Sequence, residues 1–495
     1  MAPTGAEGNG HRAHGWRRLL VEPRRPRAIA ARPGAYWYVV GTVCIGAFMG
    51  QLDASIVTLA FPKLQHVFAA TVGAVTWVGL TYLLVLVALV TPVGRVADMV
   101  GRKLLYIYGF LVFIIGSALC GLAPSLGALD AFRVLQAVGA AMLQANSVAI
   151  IVLALPREKL GRGIGIQGAA QALGLALGPT VGGLLIGLGG WRLIFFVNVP
   201  VGIVGTVLGW FLIPRSRHLQ DRVRFDWLGF ALFVPAVAGL LTTISFGTDL
   251  GWSSPATLGL LAAVVVLFVA FLRWERRTPR PMVDLSLFRR VPFTAGITSG
   301  LLSYLVLFGV LFVVPFFLFR AQHIGFARAG LELTVMPVAL GVVAPFAGRL
   351  ADHLGARPLT VAGMLLAAAA LALMAAAPGG GVALLVELGL LGAGLGLFTP
   401  PNNAAIMGSA PPHQSGVASG LLNMTRGLGT AMGLSLTGLV FALVAGTTTA
   451  TSPAAVTHGY QAALLFLAVM ALGAMVLAAL RGQTELNLDP VLSAE

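Results

Sequence analysis

The sequence predicts an all-α integral membrane protein built from two repeated halves, on three observations. The 495-residue chain is 58% hydrophobic and only 10% charged, whereas a soluble globular chain carries about 25% charged residues. Fourteen apolar stretches are long enough to cross a bilayer, which takes about 20 residues of helix. A polar stretch, GRVADMVGRKLL from Gly94 to Leu105, returns as GRLADHLGAR from Gly348 to Arg357, each time between two apolar runs. A hairpin that recurs in two halves of a membrane chain signals an internal repeat.

The apolar stretches fall near 36–61, 76–94, 104–123, 127–154, 163–188, 191–213, 227–246, 256–273, 293–318, 327–348, 358–377, 381–404, 416–445 and 459–480. The expected organisation is a disordered basic tail over 1–35 and a six-helix bundle over 36–213. A linker with two inserted transmembrane helices follows over 214–291, then a second six-helix bundle over 292–481 and a tail over 482–495. No short apolar core with a small-residue cleavage site precedes the first span, so no cleavable signal peptide is expected.

A formal charge of +15 would suggest nucleic acid in a soluble protein, but here it reads as topology. With the N-terminus inside, all but six of the 32 Lys and Arg lie on the cytoplasmic side. Lys63, Arg192, Arg320 and Arg328 fall outside, and Arg133 and Arg426 fall within helices. That bias places both termini in the cytoplasm. Cys44 and Cys120 lie in apolar segments, and His11 and His14 form a weak pair, so no disulfide framework or metal site is expected.

Each polar residue in the repeated hairpin has a local reason. Gly94 and Gly101 permit close backbone approach and left-handed turns. Asp98, with Asp352 in the second copy, can accept from free N–H groups at a helix start. Arg102 and its neighbours favour the cytoplasmic side. These residues are candidates for a conformational switch, and a plain solvated turn is the alternative.

Ionisable groups inside spans are costly and face partners or cavities. The first span carries Asp53 and the fourth carries Arg133. Counted at about 1.5 Å per residue from the outer boundary, the two lie at overlapping depths in one bundle. Asp53 is therefore expected to be the proton-linked carboxylate, with Arg133 near enough to modulate it. A nearby cation favours the ionised form, while burial favours the protonated one. Glu332 and Glu387 are read as the other intramembrane acids. Arg328 lies four residues before Glu332, so an interfacial ion pair competes with a coupling role. Gln51, Gln136, Asn198, Glu387 and Asn423 are candidates for a substrate cavity. The fifth span presents Gly174, Gly178, Pro179, Gly182 and Gly183, small residues that allow close helix packing, with a proline that can kink the helix.

Several of these stretches resemble one family. The hairpin Gly94–Lys103 resembles the loop between the second and third helices of the major facilitator superfamily, and its weaker copy resembles the matching loop of that fold's second half. Arg133, Gln136 and Gly139 match the superfamily's fourth-helix motif, and GLALGPTVGG, Gly174 to Gly183, matches its antiporter motif. The first-span stretch Gln51-Leu-Asp-Ala-Ser-Ile-Val57 resembles the signature of the fourteen-helix drug–proton antiporter branch, with Ser55 where Thr is usual. Two further stretches are similar to that branch: Trp191 to Gly202, and SGLLNMTRGLG from Ser419 to Gly429. The resemblance implies a major facilitator fold of two six-helix bundles plus two inserted helices. It further implies a transporter rather than an enzyme, one that exports amphipathic, drug-like small molecules across the plasma membrane. The proton gradient would drive it, with no cofactor or nucleic acid, and it would function as a monomer in the lipid bilayer. Export or symport of a specific metabolite is the alternative within transport, and a non-transporting membrane sensor the alternative outside it. Gly163, Gly165 and Gly168 match a dinucleotide fingerprint, but no strand precedes them.

Overall fold

The computed structural model describes residues 22, 25–30, 32–156, 159–216, 226–278, 281, 285–410, 415–446 and 452–481. Among them are fourteen helices long and apolar enough to cross a membrane. In chain order these are α1 Tyr36–Val67, α2 Val72–Val100, α3 Arg102–Leu122, α4 Leu126–Ala154, α5 Leu160–Gly189, α6 Leu193–Leu212 and α7 Trp227–Leu250. There follow α8 Pro255–Glu275, α9 Val291–Arg320, α10 Phe326–Leu354, α11 Ala356–Ala376, α12 Val382–Ser409, α13 Ser415–Ala445 and α14 Pro453–Ala479. The tails over 1–21 and 482–495 lie outside the described residues.

Local chemistry sets the helix starts. Thr71, Ser125, Asp226, Ser254 and Ser452 each accept a backbone N–H three residues on, satisfying one of the donors that a helix start leaves free. Two boundaries differ from the sequence expectation. α1 does not stop at Pro62: it tightens into a 3-10 turn over Thr58–Ala60 and continues as Phe61–Val67. The polar stretch Gly94–Val100 is not loop but the last two turns of α2. The reversal falls on Gly101 alone, at φ 118°, and in the second copy on Gly355, at φ 78°. Both are left-handed positions that glycine adopts without steric cost, so the repeated glycine is the turn itself.

The halves repeat one packing scheme. α3 packs on α4 as α11 packs on α12. Likewise α1 packs on α5 as α9 on α13, and α2 on α4 as α10 on α12. Lipid supplies no hydrophobic drive between helices, so close backbone approach carries the contact. Gly116 and Gly139 bring α3 against the α4 backbone, and Gly363 and Gly394 do the same for α11 and α12; a Cβ at any of them would overlap the facing main chain. The two halves meet along two seams, α5 on α10 and α2 on α13, which the repeat makes equivalent. The inserted pair is asymmetric: α7 and α8 pack together, and α7 covers the α2–α13 seam. There Trp77 stacks on Phe246 with ring centroids 6.2 Å apart.

The seams are closed at the end of the molecule that carries the α1–α2 connection, here called the far end. Thr180 and Thr334 share a hydrogen bond of 2.5 Å across α5 and α10. Gly183 and Gly330 let these two helices touch at Phe326 and Pro179. Arg320 donates to Gln65 at 3.3 Å, and Phe61 meets Phe312 at 5.7 Å. Towards the opposite end, where the N-terminal tail enters, the halves part around a cavity.

Because Gly330 has no room for a side chain against the Pro179 carbonyl, Gly330→Leu is expected to hold the far-end seam open. In a background lacking Cys44 and Cys120, a cysteine placed at Thr180 should then react with a membrane-impermeant thiol reagent. Equal labelling with and without Gly330→Leu would show that the seam opens freely on its own.

Candidate functional site: a buried charge cluster behind a central cavity

The cavity between the halves has a volume of about 400 Å³, within the usual range for small-molecule sites. Gln51 and Ala54 of α1 line it. Gln144, Gln171, Asn403 and Asn423 supply amides, Tyr82, Tyr304, Phe308 and Met424 supply apolar surface, and Arg426 supplies a cation.

Asp53 points away from this space. On α1 it stands between Gln51 and Ala54 in sequence, and the helical turn sends it towards α3, α4 and α6 instead. It is fully buried. Arg133 Nη1 donates to its Oδ2 at 2.6 Å. Gln136 Nε2 and Asn198 Nδ2 donate to Oδ1 at 2.8 and 3.0 Å. Five hydrogen bonds extend the network. Arg133 Nε donates to the Val78 carbonyl at 3.0 Å, and Arg133 Nη1 to Gln136 Oε1 at 2.8 Å. Ser117 Oγ accepts from Gln136 and Asn198, both at 3.1 Å. The Ser117 hydroxyl in turn donates to the Phe195 carbonyl at 2.8 Å. An isolated charge in this low-dielectric interior would cost several kcal/mol, and only a well-hydrogen-bonded pair offsets that. The Tyr82 ring lies 4.2 Å from Arg133 Cζ and also lines the cavity. It is the wall between the charge cluster and the central space.

The structure regroups the sequence candidates. Asp53 and Arg133 form an ion pair. Gln51 and Asn423 line the cavity. Gln136 and Asn198 do not: both are buried on Asp53, because their amides satisfy the carboxylate oxygen that the single guanidinium contact leaves. Glu387 is half-buried on α12 and outside the cavity lining. Glu332 sits at the far-end seam, where Arg328 Nε holds its Oε1 at 2.9 Å while its Oε2 is buried without a partner. Arg328 is 65% exposed, so screening leaves this pair worth little. Gly174, Gly178 and Gly182 pack on α1 at Phe48, Ser55 and Ile56, while Pro179 and Gly183 pack on α10. The small-residue motif thus serves two interfaces from opposite faces of α5. Gly94 lies within α2, and the Arg102 N–H donates to Ser216 Oγ at 3.0 Å. The side chains of Asp98 and Asp352 lie outside the described residues.

Three residues at the site carried no expectation. Tyr82 and Ser117 have no sequence signal beyond lying in spans. Asp130 did have one: it is an acid three residues before Arg133 in α4, and its Oδ1 is buried without a partner. Glu332 and Glu387 are therefore not the only other acids in the spans.

Comparison with known proteins agrees with this architecture. Residues 43–229, 225–434 and 297–487 match the model of the Major Facilitator Superfamily, and the chain belongs to that superfamily. It is 34% identical over 408 residues to the riboflavin transporter RibZ of Clostridioides difficile, covering 82% of this chain and 88% of that protein. It is 34% identical over 400 residues to the multidrug resistance protein Stp of Mycobacterium tuberculosis, covering 80% and 74%. Among solved structures, a bacterial homologue of the human lysosomal transporter Spinster superposes with a TM-score of 0.68 at 17% identity, covering 91% of this chain and 98% of that one.

The ion pair makes a strongly non-additive prediction. Arg133→Gln leaves the Asp53 charge buried and unpaired, and is expected to destabilise the solubilised protein by about 3–5 kcal/mol. Adding Asp53→Asn should recover about half of that loss or more, because the stranded charge is gone. Thermal unfolding of both singles and the double variant measures this; losses that simply add would show that the pair is not coupled.

Proposed function

We propose that this chain is a proton-coupled exporter of amphipathic, drug-like small molecules, and that Asp53 is the carboxylate that carries the proton. The observation that carries this reading is the position of Asp53. It is wholly buried, tied to Arg133, and separated from the central cavity by one tyrosine ring. A proton taken up there discharges the carboxylate, weakens the hold of Arg133, and alters how α1 packs on α4. α1 also packs on α5 through Gly174, Gly178 and Gly182, and α5 forms the far-end seam with α10. The charge state of Asp53 is thereby connected mechanically to the seam.

With the tail end taken as the cytoplasmic face, from its excess of Lys and Arg, the observed state is closed outward and open inward. Asp53 is paired with Arg133 in it, and the cavity can load cargo from the cytoplasm. Reorientation then exposes cargo and Asp53 to the far side. A proton enters, cargo leaves, and the return step delivers the proton inside. The antiporter motif at Gly174–Gly183, the drug–proton antiporter signature around Asp53 and the multidrug resistance protein among the relatives support export. The riboflavin transporter among the relatives favours a second reading, movement of one specific heteroaromatic metabolite through the same cavity.

Asp53→Asn is expected to abolish proton-driven export from inverted vesicles while leaving substrate binding within about threefold of the parent, since the cavity lining is untouched. Export against a gradient with an unchanged pH profile would place the coupling group elsewhere, with Glu332 next in line.

A further inference from the structure

Arg426 is the one ionised side chain in the cavity lining among the described residues, and no carboxylate lines that space. It projects from α13, where its Cζ lies 5.7 Å from the centre of the Tyr304 ring. Its Nε is buried and has no hydrogen-bond partner. Among the described residues each fully buried cation has an acceptor within the protein, Arg481 through Asn402 Oδ1 although its Nε and Nη1 have none. Arg133 has Asp53 and the Val78 carbonyl, and Lys103 donates to the carbonyls of Trp210 and Ile213. Arg426 has only the face of a tyrosine. A guanidinium at membrane depth is retained where it has a partner to meet, and its fork suits a planar anion such as carboxylate or sulfonate.

We infer that Arg426 is the anion-recognising group of the cargo site, and that the cavity selects aromatic amphiphiles bearing a carboxylate, sulfonate or comparable anionic group over permanently cationic ones. The inference rests on the cavity being the cargo site, as proposed above. Tyr304, beside the guanidinium, supplies the platform for an aromatic body, and Tyr82, Phe308 and Met424 add apolar surface to the same lining. The amides of Gln51, Gln144, Gln171, Asn403 and Asn423 can hydrogen-bond neutral polar substituents of either sense. A quaternary ammonium would meet a charge of the wrong sign at Arg426 and, among the described lining residues, find no carboxylate to offset it.

Two probes with one scaffold isolate the charge. Anilinonaphthalene sulfonate carries a sulfonate, and phenylnaphthylamine is the same ring system without it. Binding is read by fluorescence on the full-length protein in zwitterionic lipid nanodiscs. Arg426→Gln is expected to weaken the sulfonate roughly 10- to 100-fold, the range of a charge-assisted hydrogen bond. The neutral probe should stay within about twofold, and Arg426→Lys should fall between. Equal losses for both probes would assign Arg426 a structural role and overturn the inference, as would an unchanged sulfonate affinity. An Asn423→Leu control reports on the cavity itself. If it and Arg426→Gln both leave binding of both probes unaltered, the cavity is not the cargo site and both readings fall. If Asn423→Leu weakens both probes while Arg426→Gln discriminates between neither, only the charge selectivity falls.

Discussion

A carboxylate in the middle of a membrane protein is costly by several kcal/mol unless a cation and further hydrogen bonds meet it, and the N-terminal bundle is arranged around meeting that demand for Asp53. Arg133 comes from α4, Gln136 from one turn further along α4, Asn198 from α6, and Ser117 from α3 links the two amides. Seven of the eight hydrogen bonds described for this cluster cross between helices. The cluster therefore fixes the mutual position of α1, α3, α4 and α6 as much as it solvates a charge. Tyr82 closes it from the cavity side.

Among the described residues the second half shows no such cluster at the matching place, and its packing shows what remains without one. α9 is apolar over most of its length and buried almost throughout, from Leu305 to Leu318. The polar contacts that tie it to α12 sit near the tail end. There Asn402 donates to the Gly296 carbonyl at 3.1 Å and Arg481 donates to Asn402 Oδ1 at 2.5 Å. Burial pushes the Arg481 guanidinium down to about 10. The halves share a backbone scheme and divide the chemistry: one carries the buried ion pair, the other carries Arg426 and most of the aromatic wall of the cavity.

The glycines of α5 tie these parts together. Four of them, with Pro179, occupy two faces of one helix, and so α5 touches α1 within its bundle and α10 across the seam. A change in how α1 packs, such as discharge of Asp53, has a short physical route to the seam through a helix that meets α1 and α10 at glycines and Pro179. Small residues transmit displacement because backbone stands directly on backbone.

The sequence by itself determined the fourteen spans, the repeat, the insertion and the pairing of Asp53 with Arg133. Apolar length against bilayer thickness is a one-dimensional rule, and two charges in one bundle at overlapping depths have few other partners. It also held the signal of Asp130, three residues before Arg133, which depth counting passed over. Only the tertiary structure decided which way each polar side chain faces. Gln136 and Asn198 are as polar in sequence as Gln51 and Asn423, yet the first pair solvates Asp53 and the second lines the cavity. That division depends on helix rotation about its own axis. In α1 and α12 the apolar residues run nearly all round the helix, leaving no amphipathic stripe to set the rotation from sequence; contact between close-packed helices sets it instead.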